Sequence, residues 1–426
     1  MNIVFFGIVL LAILFAVWNF AWAAMTGDMS AAAAFPAAVG GAALDGSKTA
    51  VTLAIGLVGY MALFLGLMKV VEEAGGLKWM AGLIRPVLVR LFPDVPHDHP
   101  AMGAMVMNIS ANALGLGNAA TPFGLKAMKE LDALNKETGT ATNAMVRFLA
   151  INTSGLALLP TGIIGLRALK DSVDPAAIFP TTLAATGFST LVGILAANSL
   201  ARLPFFAAPE AQQAADAEAA TGNAAAVSIS EMLPLGLFLG ALVALVVGVY
   251  HLGEVASAWI IPLLILGMLT VGMVRRVKVY EVFILGAKEG FSLAVTIIPY
   301  LVAILAAVGM FRKSGGMDAL VSTIGPATAA LGLPPEVLPL ALLRPLSGSG
   351  AFGITAELID THGPDSYIGE LASTMNGSTE TTFYVLAVYF GSVGVSRIRH
   401  AVPAGLAADF AGVVASVVAV QFLLNG

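Results

Sequence analysis

Two charged side chains stand in stretches otherwise too apolar to solvate them. Arg344 lies in Leu340-Ala-Leu-Leu-Arg-Pro-Leu-Ser-Gly-Ser-Gly350, and Glu380 in Met375-Asn-Gly-Ser-Thr-Glu-Thr-Thr382. A charge at membrane depth is costly and normally faces a partner or a cavity. Glu380 could accept a proton, a cation or a substrate ammonium, and Arg344 could neutralise it or clamp an anion. The competing reading is a structural ion bridge, or a place near the outer interface. Ser347, Ser349, Asn376, Ser378 and Thr379 add hydroxyls, an amide and glycine-exposed backbone. These are the donors and acceptors that a neutral polar solute or a stripped cation needs. Asn112, Asn118, Thr121, Asn152, Thr153 and Ser154 mirror them earlier in the chain. Small polar residues also serve helix packing alone, so the set carries more weight than any one member.

The elements that must position these groups are membrane helices. Of the 426 residues, 58% are apolar and only 11% charged, against roughly a quarter charged in a soluble domain. Asn2 to Thr26, Leu233 to Tyr250 and Val255 to Val274 run without a charge, enough to cross about 30 Å of hydrocarbon. There is no cysteine, so no disulfide and no thiolate for a metal or a nucleophilic mechanism. The net charge is -5 with scattered basic residues, which leaves no footprint for nucleic acid.

The order of elements follows from apolar runs and breaks. Spans are expected at 3–24, 49–70, 144–168 and 178–200, with a polar Ala/Gly segment after the first. Ala21-Trp22-Ala23 resembles a signal-cleavage site, but no Lys or Arg precedes the run, which reads as the first transmembrane helix. Leu77 to Phe92 carries apolar residues at helical spacing with Lys78, Arg85 and Arg90 among them, suiting an interfacial helix. Pro100 to Gly124 is too polar and Gly-rich for a lipid-facing helix and reads as a re-entrant hairpin. Residues 207–230 form a polar linker. An extra span at 233–250 precedes spans near 256–274, 288–310, 378–395 and 404–424, with a second broken segment from Pro334 to Leu358.

The two halves repeat. Gly46, Lys48, Leu53, Ala54, Tyr60, Leu65, Gly75, Gly76, Ile84, Pro86 and Leu91 each recur 240 positions later, and Asn152 and Ser154 find partners in Asn376 and Ser378. The expected fold is therefore all-α and membrane-integral, with two inverted repeats. Each holds about four transmembrane helices and a re-entrant broken-helix hairpin, with one linking helix. The expected domains are 1–204, a cytoplasmic linker 205–231, a linking helix 232–250 and 251–426. Charge supports inversion: the loop 123–147 carries Lys126, Lys129, Lys136 and Arg147, whereas 356–374 has no Lys or Arg and four carboxylates. By the positive-inside rule the N-terminus, the linker and Arg397-Arg399 are cytoplasmic. Arg167, Lys170, Arg312 and Lys313 then fall outside, against that rule.

Other motifs carry less. Gly115-Leu-Gly-Asn-Ala-Ala120 fits a dinucleotide fingerprint but lacks the βαβ context. His97-Asp98-His99 sits among prolines and reads as a polar turn rather than a metal site. No Ser/His/Asp or paired-carboxylate arrangement has catalytic spacing, so no enzyme is expected.

The first half resembles the bacterial spore maturation protein A family through Gly66-Leu-Met-Lys69, Phe92-Pro-Asp-Val-Pro-His-Asp-His-Pro-Ala-Met-Gly103, Gly115 to Met128 and Phe148-Leu-Ala-Ile-Asn-Thr-Ser154. The second resembles the spore maturation protein B family through Gly286-Ala-Lys-Glu-Gly290, Ile298-Pro-Tyr-Leu301, Pro339 to Gly348, Gly363 to Gly369 and Gly377 to Gly391. The resemblance implies a nucleoside-recognition or Gate-type membrane domain, here with the two partners fused. The expected function is secondary transport of a small polar solute such as a nucleoside or amino acid, bound mid-membrane between broken helices. A non-transporting scaffold, or transport of a lipid headgroup or ion, is the alternative. Glu380 is the expected point of coupling to H+ or Na+, and no cofactor or metal is implied. The expected partners are the solute and membrane lipid, and a homo-oligomer is compatible with the sequence. The expected location is the bacterial cytoplasmic (inner) membrane.

Overall fold

The computed structural model describes residues 2–207, 232–252, 259–329 and 332–424. The linker expected at 207–230 lies almost wholly outside them. The described residues form helices joined by turns and irregular segments, with no strand among them. Among the described residues five helices are long and apolar enough to cross a membrane: α1 (Asn2–Met25), α2 (Met29–Glu73), α8 (Ile178–Leu200), α11 (Val279–Lys313) and α17 (Ala401–Leu423). Shorter apolar helices are α9 (Leu233–Leu252) and α10 (Ile260–Val274). Bulky apolar side chains such as Phe6, Trp18, Leu195, Leu266 and Phe410 point outward, as lipid requires.

Several elements differ from the expectation. The Ala/Gly segment expected between the first two spans is instead the first part of α2, one continuous 45-residue helix. Alanine is the strongest helix former, and it outweighs the scattered glycines and Pro36. Residues 144–168, expected as one span, form α6 (Asn143–Thr153) and α7 (Thr161–Leu169), broken between them. The side chains of Asn152, Thr153 and Ser154 bond back to carbonyls three or four residues earlier, Gly155 takes φ +60, and Pro160 cannot continue a helix. The span expected at 378–395 begins only at Thr382: α15 (Tyr367–Ser378) ends there, and α16 (Thr382–Ser392) starts after a three-residue break. The two segments read as broken are so in the structure. Pro100 to Gly124 gives α4 (Pro100–Ala113) and α5 (Gly117–Ala133), packed on each other. Pro334 to Leu358 gives a 3-10 turn, α13 (Leu338–Leu343) and α14 (Gly348–His362).

The 240-residue register extends to element ends. α2 ends at Glu73 and α11 at Lys313; α3 (Gly76–Leu91) and α12 (Gly316–Ala329) begin 240 apart. Gly75 and Gly315 join them with φ +88 and +82, where a side chain would be strained. α8 and α17 are both 23 residues long and pack along each other.

Two compact units are present. The first comprises Met1–Phe64, Gly162–Pro175 and Ala287–Asn376. In it α2 and α11 touch backbone to backbone: Gly309 lies against Ala42, Gly46 against Leu305 and Ala306, and Gly290 against Met61 and Ala62. Residue numbers fall along α11 as they rise along α2, so these equivalent helices run antiparallel. The second unit comprises Leu65–Thr161, Ala176–Gly286 and Gly377–Gly426. There Gly286, the counterpart of Gly46, meets the backbone of Leu65, the counterpart of Leu305. Its core joins Phe92, Met102, Met105, Met128, Met145, Phe148, Leu149 and Phe390.

His400, the fully buried cap of α17, has its pKa lowered to about 4 by burial first and then by the charge of Arg399, with the Ala197 backbone opposing. The unfolded chain takes up this proton near pH 6.5. Stability is therefore full above that pH and is lost as pH falls toward the folded value. The unfolding midpoint in detergent should drop between about pH 6.5 and pH 4.5, and His400→Phe should flatten that limb. Superimposable pH curves for the two proteins would contradict it.

Candidate functional site

In the second unit two broken helices meet. The amide N–H of Glu380, in the break between α15 and α16, donates to the carbonyl of Thr153 at the end of α6, at 2.8 Å. Gly155 lies so close to Thr379 that a Cβ would stand 2.7 Å from its carbonyl carbon. The breaks that follow the repeated Asn-x-Ser sequences thus share a backbone hydrogen bond, of the kind that helix ends inside a bilayer need.

Side chains of α8 and α17 line this meeting. Thr186 Oγ1 donates to the carbonyls of Ser154 and Gly155, at 3.0 and 2.9 Å. Ser154 Oγ and Thr190 Oγ1 are 2.8 Å apart, and Ser189 Oγ donates to the Ala408 carbonyl. From α17, the 5%-exposed Asp409 accepts a 2.7 Å bond from Thr382 Oγ1, the first residue of α16. The helix N-terminus there favours a negative charge. Gly405 and Gly412 admit Thr382 and Thr379 against α17. Ser189 and Gly412 are the middle residues of their helices, so the cluster lies half-way along two potential spans.

The expected residues divide between the units. Asn112, Asn152, Thr153, Ser154, Ser378, Thr379 and Glu380 belong to the second. Asn112 Nδ2 donates to Asn152 Oδ1 at 2.9 Å, and Ser378 Oγ is 3.3 Å from Ser416 Oγ. Thr121 is half-buried on α5, and the side chain of Asn118 lies outside the described ones. Glu380, expected at membrane depth, has an exposed side chain; its backbone is what joins the breaks. Arg344, Ser347, Ser349 and Asn376 belong to the first unit. Arg344 is buried, Ser347 caps α14 by accepting from Gly350 N–H, Ser349 is half-buried, and Asn376 Nδ2 donates to Thr355 Oγ1 at 2.9 Å. His99 caps α4 through Nδ1, the polar-turn role.

Sequence reading passed over Asp409, the sole charged residue of α17, although an isolated carboxylate in a span was itself a signal. It also missed Asn108, which donates to the Ala120 carbonyl and to the Tyr389 hydroxyl, at 2.8 and 3.2 Å.

A cavity of about 210 Å³ in the first unit is lined by none of the expected residues. Its walls carry Asp45, Lys170, Arg312, Glu357 and Asp360, with Arg312 paired to Glu357 at 2.8 Å and Lys170 to Asp360.

Long apolar helices, outward apolar side chains and broken helices joined through their backbones define a multi-pass α-helical membrane protein. The chain belongs to the nucleoside-recognition Gate family, whose profile matches residues 54–170 and 294–396. It is 51% identical over 169 residues to Spore maturation protein B of Bacillus subtilis (strain 168), covering 40% of this chain and 95% of that protein. It is 42% identical over 154 residues to Spore maturation protein A of the same organism, covering 36% of this chain and 79% of that protein. Each relative matches a part of the chain, consistent with a fusion of the two. No solved structure matches it.

Proposed function

We propose that the chain is a secondary transporter of a small polar solute, a nucleoside, amino acid or similar metabolite, bound where the broken helices of the two repeats meet. The observation that carries this is the Glu380 N–H to Thr153 carbonyl bond, half-way along α8 and α17 and beside the buried Asp409. Broken helices at a repeat interface are where secondary transporters bind substrate and coupling ion. Antiparallel α2 and α11, occupying equivalent places in the repeat, are what inversion of the halves produces.

The charges support the same orientation, with the N-terminus cytoplasmic in a bacterial inner membrane. Of the four exceptions to the positive-inside pattern, Arg167, Lys170 and Arg312 pair with Asp365, Asp360 and Glu357 of the acidic segment 356–374. Asp409 joins Glu380 as a group able to couple H+ or Na+.

In proteoliposomes, saturable uptake from a metabolite panel should fall at least about tenfold in Asp409→Asn and Glu380→Gln while folding is retained. Arg344→Ala should impair it as well. Normal transport by all three removes these charges from the mechanism. Absence of uptake, together with no thermal stabilisation by any metabolite, favours the scaffold reading.

A further inference from the structure

The second unit contains another polar cavity, of about 590 Å³, and its chemistry differs from that of the mixed-charge cavity in the first. Arg90, Arg147, Arg202, Asn143 and Asn198 supply its polar lining, and no carboxylate is among the lining residues described. Arg147 is fixed in place: it donates to Asp94 and to Asn198 Oδ1, both at 2.8 Å, and lies over the Phe92 ring. Its charge is largely offset by Asp94. Arg90, in the last turn of α3 and with its guanidinium also against Met232 Sδ, and Arg202, just beyond α8, complete the basic lining.

The depth of the cavity follows from α8. That helix ends at Leu200 and its 23 residues span roughly 35 Å, the full hydrocarbon thickness. Ala201 and Arg202 therefore sit where headgroups begin. The adjoining turn presents Leu203 and the 89%-exposed Phe205 outward, and the Arg399 guanidinium ties it down by donating to the Phe206 carbonyl. An apolar ring exposed just beyond a span suits contact with the headgroup/acyl boundary of the bilayer. The site thus combines guanidinium groups, which grip a phosphoryl group by paired bonds, with apolar side chains where acyl chains would run. Asn143, at the start of α6, keeps a buried Oδ1 with no hydrogen-bond partner in the protein, an acceptor suited to a headgroup hydroxyl.

We propose that this cavity binds the headgroup of an anionic phospholipid, its phosphoryl group held by Arg90, Arg147 and Arg202. This does not depend on the transport reading. The test is native mass spectrometry of the full chain in detergent, with phosphatidylglycerol and phosphatidylcholine of identical acyl chains. Wild type should retain phosphatidylglycerol over phosphatidylcholine by at least about tenfold, and Arg90→Gln with Arg202→Gln should reduce that preference to within about twofold. Arg275→Gln with Lys278→Gln, a basic pair outside the cavity, should leave it unchanged. A preference that persists in the first double variant at unaltered unfolding temperature, or one lost equally in the control pair, overturns the proposal. If the first double variant does not fold, Arg202→Gln alone should lower the preference about fivefold, and no reduction overturns it. Millimolar inorganic phosphate that both displaces the lipid and stabilises the protein by itself would identify free phosphate as the occupant and overturn the lipid assignment.

Discussion

Replacing Arg167 by methionine should destabilise the protein by about 2 kcal/mol, the range for losing hydrogen bonds made by a buried charged group, its acidic partner Asp365 being itself exposed. Arg167 has no exposed surface. Its guanidinium donates to the carbonyls of Pro364 and Asp174, to Ser172 Oγ at 3.2 Å and to Asp365 Oδ1 at 2.9 Å. Asp365 also accepts from Ser172 Oγ and the Val173 N–H. One cation thus joins the end of α7 to the segment before α15, and methionine would fill its volume while removing its hydrogen bonds to the Pro364 and Asp174 carbonyls and its charge from Asp365. Lysine keeps the charge but lacks the planar fork, so Arg167→Lys should recover less than half of the loss. Lys170→Met removes a pair with an exposed carboxylate and should cost under about 1 kcal/mol. Unfolding midpoints in detergent compare the three, and equal effects of Arg167→Met and Lys170→Met would refute the assignment.

Adding a single methyl group at Gly46 should cost about 1–3 kcal/mol. A Cβ there would stand 2.6 Å from the Leu305 carbonyl oxygen and 2.9 Å from the Ala306 nitrogen. Backbone atoms cannot turn aside as a side chain can, so α2 and α11 would have to separate. In lipid, where apolar burial no longer drives helices together, close backbone approach is a main source of association. Gly286→Ala meets the equivalent backbone at Leu65 and should behave alike. Gly59 lies on the same helix as Gly46 with nothing within 4 Å. Gly59→Ala should therefore be neutral or stabilising by up to about 1 kcal/mol through helix propensity. If Gly46→Ala and Gly59→Ala unfold at the same midpoint, the close crossing is not a source of stability.

Much of the architecture was legible from local pattern. Low charge and long apolar runs determine a membrane protein, because uncovered apolar surface of that extent is compatible only with lipid. The 240-residue register was readable because Gly75-Gly76 and Pro86 punctuate the backbone in the same order as Gly315-Gly316 and Pro326, and glycine and proline act on their own few residues. The broken segments at 100–124 and 334–358 were visible for the same reason. The Ala-rich run after α1, expected as a polar Ala/Gly segment, is helical because alanine sustains a helix without needing an apolar face.

The tertiary structure alone decided which polar groups share a place. Asn376 and Ser378 are two residues apart, yet they bond in different compact units, Asn376 to Thr355 and Ser378 to Ser416. Glu380 is significant through its backbone, and Asp409 through a hydroxyl 27 residues earlier in the chain. These pairings form where glycines let α17 approach Thr379 and Thr382. Residue types and local spacing encode helices and their breaks; which breaks meet depends on helix crossings between residues up to hundreds of positions apart.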